Sequence, residues 1–261
     1  MTTTLQNTLP FAPWMDARTA RLPGVQPVAG DDWLRVDDAF AGQMAERDRL
    51  IAGYAPLVHA LLPQAEAAAG ELLTRVLGVL GPGYVVTAAQ VTRPDGVVVK
   101  VDASQPLLTL GRLVQEDLCI LQDNGAEHVL TGAALCFPAS WTLAEKIGRP
   151  MTAIHGVVHD YDARIATSVQ RMMRAIQPGA MLWRANALVY DDATLHQPRK
   201  EGERRPRPAE GLYLRSERQS FVRLPVTGAV VFAIHTYVVR VGDLSAEARE
   251  GMAAAGLWRA D

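Results

Sequence analysis

The stretch LYLRSERQSFVRLPVTGAVVFAIHTYVVRV, residues 212–241, decides the fold class. Two β-rich segments, Leu212 to Leu224 and Gly228 to Val241, are joined through Pro225-Val226-Thr227-Gly228. A Pro- and Gly-containing loop of about four residues between such runs predicts a β-hairpin. Successive side chains on a strand point to opposite faces. In the second segment Val231, Ala233, His235, Tyr237 and Val239 share one face, and Val230, Phe232, Ile234, Thr236 and Val238 share the other. Both faces are largely apolar, so this strand is expected at the centre of a sheet, covered on both sides.

Outward from the hairpin, Met181 to Tyr190 and His128 to Cys136 read as further strands, and Val97 to Val101 is a short β-branched run. Helical spacing runs from Ala39 to Ile51, with Asp37 or Asp38 as N-cap. It returns from Pro63 to Leu80, where Ala65, Ala69, Leu72, Leu73, Val76, Leu77 and Leu80 form one apolar stripe. Thr142 to Ile147, Arg164 to Ile176 and Ser245 to Ala255 read as shorter helices, the last capped by Ser245. Gly111 to Leu121 fits strand or helix. Residues 1–30 hold four prolines and little periodicity, an irregular arm. Residues 31–261 are expected to form one domain. Helices come first, then a mostly antiparallel sheet with helices inserted, which is an α+β arrangement.

Composition narrows the function. Of 261 residues, 49% are hydrophobic and 21% charged, as in an ordinary globular chain. The net charge of -2 forces no basic face, which argues against nucleic acid as a partner. The basic run from Arg199 to Arg207 is rich in Pro and Gly and reads as a solvated loop. Two cysteines, Cys119 and Cys136, make no disulfide framework. The first residues lack a signal-peptide pattern, and no apolar run reaches the roughly 18 residues of a membrane span. A cytoplasmic protein is expected. Sequence signatures of dinucleotide, nucleotide-triphosphate, zinc-protease, covalent-haem and serine-hydrolase sites are all absent, so any redox chemistry would draw electrons from another protein.

A set of short blocks carries a resemblance. Trp33-Leu34-Arg35-Val36-Asp37 leads into the first helix, and Gln115-Glu116-Asp117-Leu118-Cys119 follows the middle strands. Then come Leu135-Cys136-Phe137-Pro138-Ala139-Ser140-Trp141, Lys146-Ile147-Gly148-Arg149-Pro150 and Ile154-His155. Leu182-Trp183-Arg184-Ala185-Asn186, Leu195-His196-Gln197-Pro198, Leu214-Arg215-Ser216-Glu217-Arg218-Gln219, Arg223-Leu224-Pro225 and Ile234-His235-Thr236-Tyr237 complete it. In this order, over roughly residues 30 to 241, the blocks resemble the haem-binding subunit of the haem-dependent oxidative N-demethylases. The resemblance implies a PAS-like fold holding non-covalent haem b. It implies O2-dependent removal of a methyl group from a small amine such as dimethylamine, with release of formaldehyde. Electrons would come from NAD(P)H through a flavin and iron–sulfur reductase protein. The chain departs from the family after the histidine. Where the family has I-H-A-P-V-P-G, it reads Ile154-His155-Gly156-Val157-Val158-His159-Asp160, and where the family has N-W it reads Asn186-Ala187. These changes bear on substrate more than on fold.

Within the resemblance, His155 is the candidate axial ligand of the iron, against the plainer reading of a core histidine. His235, on the central strand, is a second candidate for the iron or the distal pocket, against a hydrogen-bonded structural histidine. Arg149, Arg215 and Arg218 are candidates for the haem propionates, because guanidinium suits bidentate carboxylate contact. Arg215 and Arg218 differ by three, so only one of them should meet the haem. Of the three, Arg149 and Arg218 are preferred. Glu217 would receive the substrate ammonium, or else bridge to a neighbouring arginine. His159 would handle protons, or else be a solvated or pocket-lining histidine. Cys119 and Cys136 read as small buried hydrophobes rather than thiolate ligands. The expected function is a haem-dependent mono-oxygenase of N-demethylase type. The rival readings are a PAS-like haem or small-molecule sensor without turnover, and a haem enzyme acting on a larger biosynthetic substrate.

Overall fold

The computed structural model describes residues 3–20, 24–156 and 163–257. The hairpin is its centre: β9 (Tyr213–Arg223) and β10 (Val230–Arg240) pair antiparallel in unbroken register, from Tyr213 opposite Arg240 to Arg223 opposite Val230. The other edge of β10 takes β6 (Asp117–Asp123), which pairs with β7 (His128–Ala134), and β7 with β2 (His59–Leu61). Beyond β9 lie β8 (Met181–Tyr190) and then β1 (Gln26–Pro27). Every pairing in this seven-stranded sheet is antiparallel, and its order is β1-β8-β9-β10-β6-β7-β2. The apolar strand of the hairpin is therefore central, as its two apolar faces require. A small second sheet joins β3 (Val85–Val86), β4 (Gln90–Thr92) and β5 (Val98–Lys100).

Helices cover both faces. On one side, α2 (Glu66–Val79) and α3 (Pro106–Gly111) pack Leu72, Leu73, Val76, Leu107 and Leu110 against Leu118, Ile120, Val222, Val231 and Ala233. On the other, α4 (Leu143–Lys146), α5 (Met151–His155) and α6 (Ala163–Ala175) set Leu143, Met151, Ile154 and Met173 against Cys119, Leu121, Phe221 and Phe232. These are the α2 face and the α5 face of the sheet. Burying each of these large apolar side chains is worth roughly 1.5–3 kcal/mol. α7 (Ala246–Ala254) closes the chain, and its Ser245 cap accepts a hydrogen bond from the Ala248 amide at 3.1 Å. The architecture is α+β. Among the described residues no helix is long and apolar enough to cross a membrane.

Three elements differ from expectation. α1 (Phe40–Val58) runs past Ile51 and carries Pro56, with a kink at Tyr54 where the backbone leaves helical values. The ambiguous stretch after Gly111 is a turn leading into β6. The N-terminal arm is mostly irregular but contributes β1, paired to Leu182 and Trp183 at the sheet edge.

Candidate functional site

Residues opposite one another in antiparallel strands share a face, and the register of β8, β9 and β10 therefore sorts the polar groups. Arg184 lies opposite Gln219, and Asn186 opposite Glu217, which lies opposite Thr236. These five belong to the α5 face. Glu217 is 7% exposed, and its Oε2 accepts hydrogen bonds from Asn186 Nδ2 at 3.1 Å and Gln219 Nε2 at 3.0 Å. Its Oε1 sits 3.4 Å from Arg215 Nη2. Arg215, fixed on the same face, also donates to the carbonyls of Leu195 (2.8 Å) and Phe137, tying two loops to the sheet. The hydroxyl of Thr236 is buried without a hydrogen-bond partner.

His155 is the last residue of α5 and is partly buried. Its Nδ1 lies 3.0 Å from the Met151 carbonyl oxygen. A carbonyl only accepts, so Nδ1 carries the proton and Nε2 the lone pair of the neutral ring. Burial holds the ring's pKa below its usual value, opposed by the Met151 bond and reinforced by the charges of Lys146 and Arg184. Neutral imidazole with a fixed tautomer is the form that binds a metal. Lys146 donates to the Ile154 carbonyl at 3.0 Å and meets Glu201 at 3.3 Å, while the exposed Arg149 meets the other oxygen of Glu201 at 3.0 Å. That cluster fastens the 199–208 loop beside α5.

The α2 face holds a different set. Glu217 and Arg218 are consecutive and so point to opposite sides, and Arg218 lies opposite His235. Arg218 stacks 5.1 Å over Trp183 and donates to Ser220 Oγ at 3.1 Å. His235 is buried between Glu116, 2.8 Å from Nδ1, and Asp37, 3.0 Å from Nε2. Burial by itself lowers its pKa, but the two carboxylates outweigh it and raise the value to about 9. Both ring nitrogens donate, so no lone pair is left for iron. Expected as neighbours of one haem, His155 and Glu217 share the α5 face, whereas Arg218 and His235 are cut off from them by the sheet. His159 lies outside the described residues. The thiols of Cys119 and Cys136 are buried, which pushes Cys136 up to about 12 and Cys119 higher still, so neither is a thiolate.

The model of the family described as haem-dependent oxidative N-demethylase, alpha subunit-like matches residues 24–257. The chain belongs to that family. No curated protein matches it.

Membership gives a haem something to be tested against. Haem iron would take a nitrogen ligand from the protein, and the neutral imidazole of His155, with Nδ1 protonated, is of the kind that would hold it. Among the described residues no cluster of three or more His, Cys, Asp or Glu is placed to hold a bare metal ion. Arg184 supplies the second match. Its Nε is buried without an acceptor, a cation on the α5 face that an incoming carboxylate would satisfy. The donor set of the α5 face thus fits the group. Arg184 had been visible only as part of a sequence block, because its lack of a partner is a property of the packed sheet. Two surface depressions, of 380 and 780 Å³, lie elsewhere, beside Asp37 and Tyr237 and along α6 beside Thr152; none of His155, Arg184 and Glu217 lines either.

Proposed function

We propose that this chain is a haem-dependent oxygenase that demethylates a small, dimethylamine-like amine. The observation that carries the reading is the buried Glu217 carboxylate on the sheet face over which α5 sets His155, with one oxygen held by two side-chain amides. Non-covalent haem b, when bound, would supply O2 binding and activation. His155 would hold it through Nε2, and Arg149, at the rim beside α5, would meet a propionate. Glu217 would receive the substrate ammonium, and Asn186 and Gln219 would keep its carboxylate from swinging away. Leu182, Phe221 and Phe232, packed on the same face, would keep bulk water from the reacting atoms. The balance is amine, O2, two electrons and two protons to demethylated amine, formaldehyde and water. The electrons would come from NAD(P)H through a flavin and iron–sulfur reductase protein. Arg218 and His235 take no part in this reading.

The test is the visible spectrum of the purified chain with hemin, then with dithionite and carbon monoxide, followed by formaldehyde assay with dimethylamine. A sharp Soret band that shifts on reduction, lost in a folded His155→Ala variant, supports the reading. Full retention of the band in that variant removes His155 as the ligand. A hemin-loaded, reduced enzyme that consumes O2 with no amine yielding formaldehyde removes the demethylase.

A further inference from the structure

Among the described residues the fully buried arginines each have a partner, although Arg47 Nη2 and Arg215 Nε make no hydrogen bond of their own. Arg47 meets Asp117 at 2.7 Å, Arg93 meets Asp48 and Asp95 at 3.0 and 2.7 Å, and Arg215 meets two carbonyls and Glu217. Arg184 makes no such bond. It stands on β8 among Asn186, Gln219 and Glu217, and its Nε is buried without an acceptor. Its direct neighbour across the strands, Gln219, turns its amide to Glu217 instead. Glu217 is its diagonal neighbour, and such pairs lie roughly 7–8 Å apart between backbones. Glu217 does not close that gap, because Asn186 and Gln219 hold one of its oxygens and Arg215 faces the other. Burial presses the Arg184 pKa below its usual value, with only the charge of Glu217 opposing it. The Nε–H of this half-buried guanidinium is closed off from water with no acceptor, which is unfavourable until one arrives, and the planar fork matches a carboxylate.

We propose that Arg184 is a carboxylate anchor of the α5-face site, and that the carboxylate arrives either on the haem, as a propionate, or on the substrate. The inference rests on the haem-enzyme reading and narrows it. In the second case the site offers opposite charges a strand diagonal apart, Glu217 for an ammonium and Arg184 for a carboxylate. The substrate class is then an N-methylated amino acid rather than a bare amine. For N-methylglycine the reaction balances as N-methylglycine, O2, two electrons and two protons to glycine, formaldehyde and water, with the electrons from the same reductase.

The test uses the full chain as wild type, Arg184→Met and Arg184→Lys, each checked for folding by circular dichroism. Hemin and hemin dimethyl ester are titrated by Soret absorbance, and N-methylglycine and dimethylamine by calorimetry. A propionate anchor predicts that Arg184→Met weakens hemin about ten- to a hundredfold, leaves the ester unchanged, and is partly rescued by Arg184→Lys. A substrate anchor predicts unchanged hemin binding, a loss of similar size for N-methylglycine, and no change for dimethylamine. If hemin and N-methylglycine both bind the folded variants as they bind wild type, Arg184 is no anchor. If wild type takes up no hemin, the haem reading fails on its own. Arg184 is then judged on N-methylglycine binding to the haem-free chain, where a difference from Arg184→Met sustains the anchor and equality overturns it.

Discussion

His235 shows how residue type and residue role part company. A histidine on a central strand of a haem-family protein invites assignment to the iron, yet Glu116 and Asp37 hold it as a cation. Its folded pKa of about 9 lies above the ordinary value of 6.5, so protonation favours the folded state. That stability is complete below the unfolded pKa and is lost as pH rises through about 9. The difference corresponds to about 3 kcal/mol. Urea unfolding of wild type from about pH 6 to about pH 9.5 should show a falling midpoint. His235→Gln should be destabilised by about 3–5 kcal/mol at neutral pH, because Glu116 is left buried without its cation, and should lose most of the slope. A wild-type midpoint that is flat over this range would mean the histidine is neutral. Arg218 teaches the same lesson by parity: it is next to Glu217 in sequence, and a strand sends the two to opposite faces.

Among the elements, legibility followed length and period. β8, β9 and β10 span ten or eleven residues each, and their alternation and turn residues mark them in the sequence itself. α2 and α6 declared themselves by helical spacing. α3 and α5, of six and five residues, are too short for a period to show, and α5 carries the axial candidate. So His155 was visible as part of a block and not as a helix end, while Arg184 could not be singled out, because nothing in a strand's pattern tells which cation will lack a partner. The arm and α1 meet through a similarly hidden contact. A Cβ on Gly42 would come 1.9 Å from the Thr3 carbonyl oxygen, a backbone atom with no rotamer to yield. The arm is pinned just beyond, where the Gln6 amide donates to Val238 O at 3.0 Å and its side chain accepts from Val238 N at 2.7 Å. Gly42→Ala should therefore lift the start of the arm, destabilise by about 1–3 kcal/mol despite alanine's better helix propensity, and speed proteolytic trimming of the N-terminus. Trimming at the wild-type rate with unchanged stability would show that the arm does not need this close approach.

At the scale of the molecule, the sheet divides two polar systems that the sequence interleaves. On the α2 face, Asp37, Glu116, His235 and Arg35 form a charged network that reaches Arg218 through Asp32, joined to the arm through Gln6 donating to Asp37 at 2.8 Å. Each of its charged groups has at least one charged partner or hydrogen bond within the network, although Glu116 Oε2 and Arg35 Nε are left without one. On the α5 face the Thr236 hydroxyl and Arg184 Nε are buried without partners, and Arg184, unlike Arg35 and Arg218 of the α2 face, meets no carboxylate among the described residues. The two faces should therefore respond differently to mutation. At a pH and temperature where all variants remain folded, His155→Ala should abolish hemin binding with little loss of stability, because His155 lies at a helix end and is only partly buried. His235→Gln should lower the unfolding midpoint while leaving the Soret band and hemin affinity within about twofold of wild type. The two changes lie on opposite sides of the sheet and share no hydrogen-bond partner among the described residues, so the double variant should show both losses, nearly additive. Hemin binding lost in a folded His235→Gln and kept in His155→Ala would move the cofactor to the α2 face and reverse the assignment of the two sides.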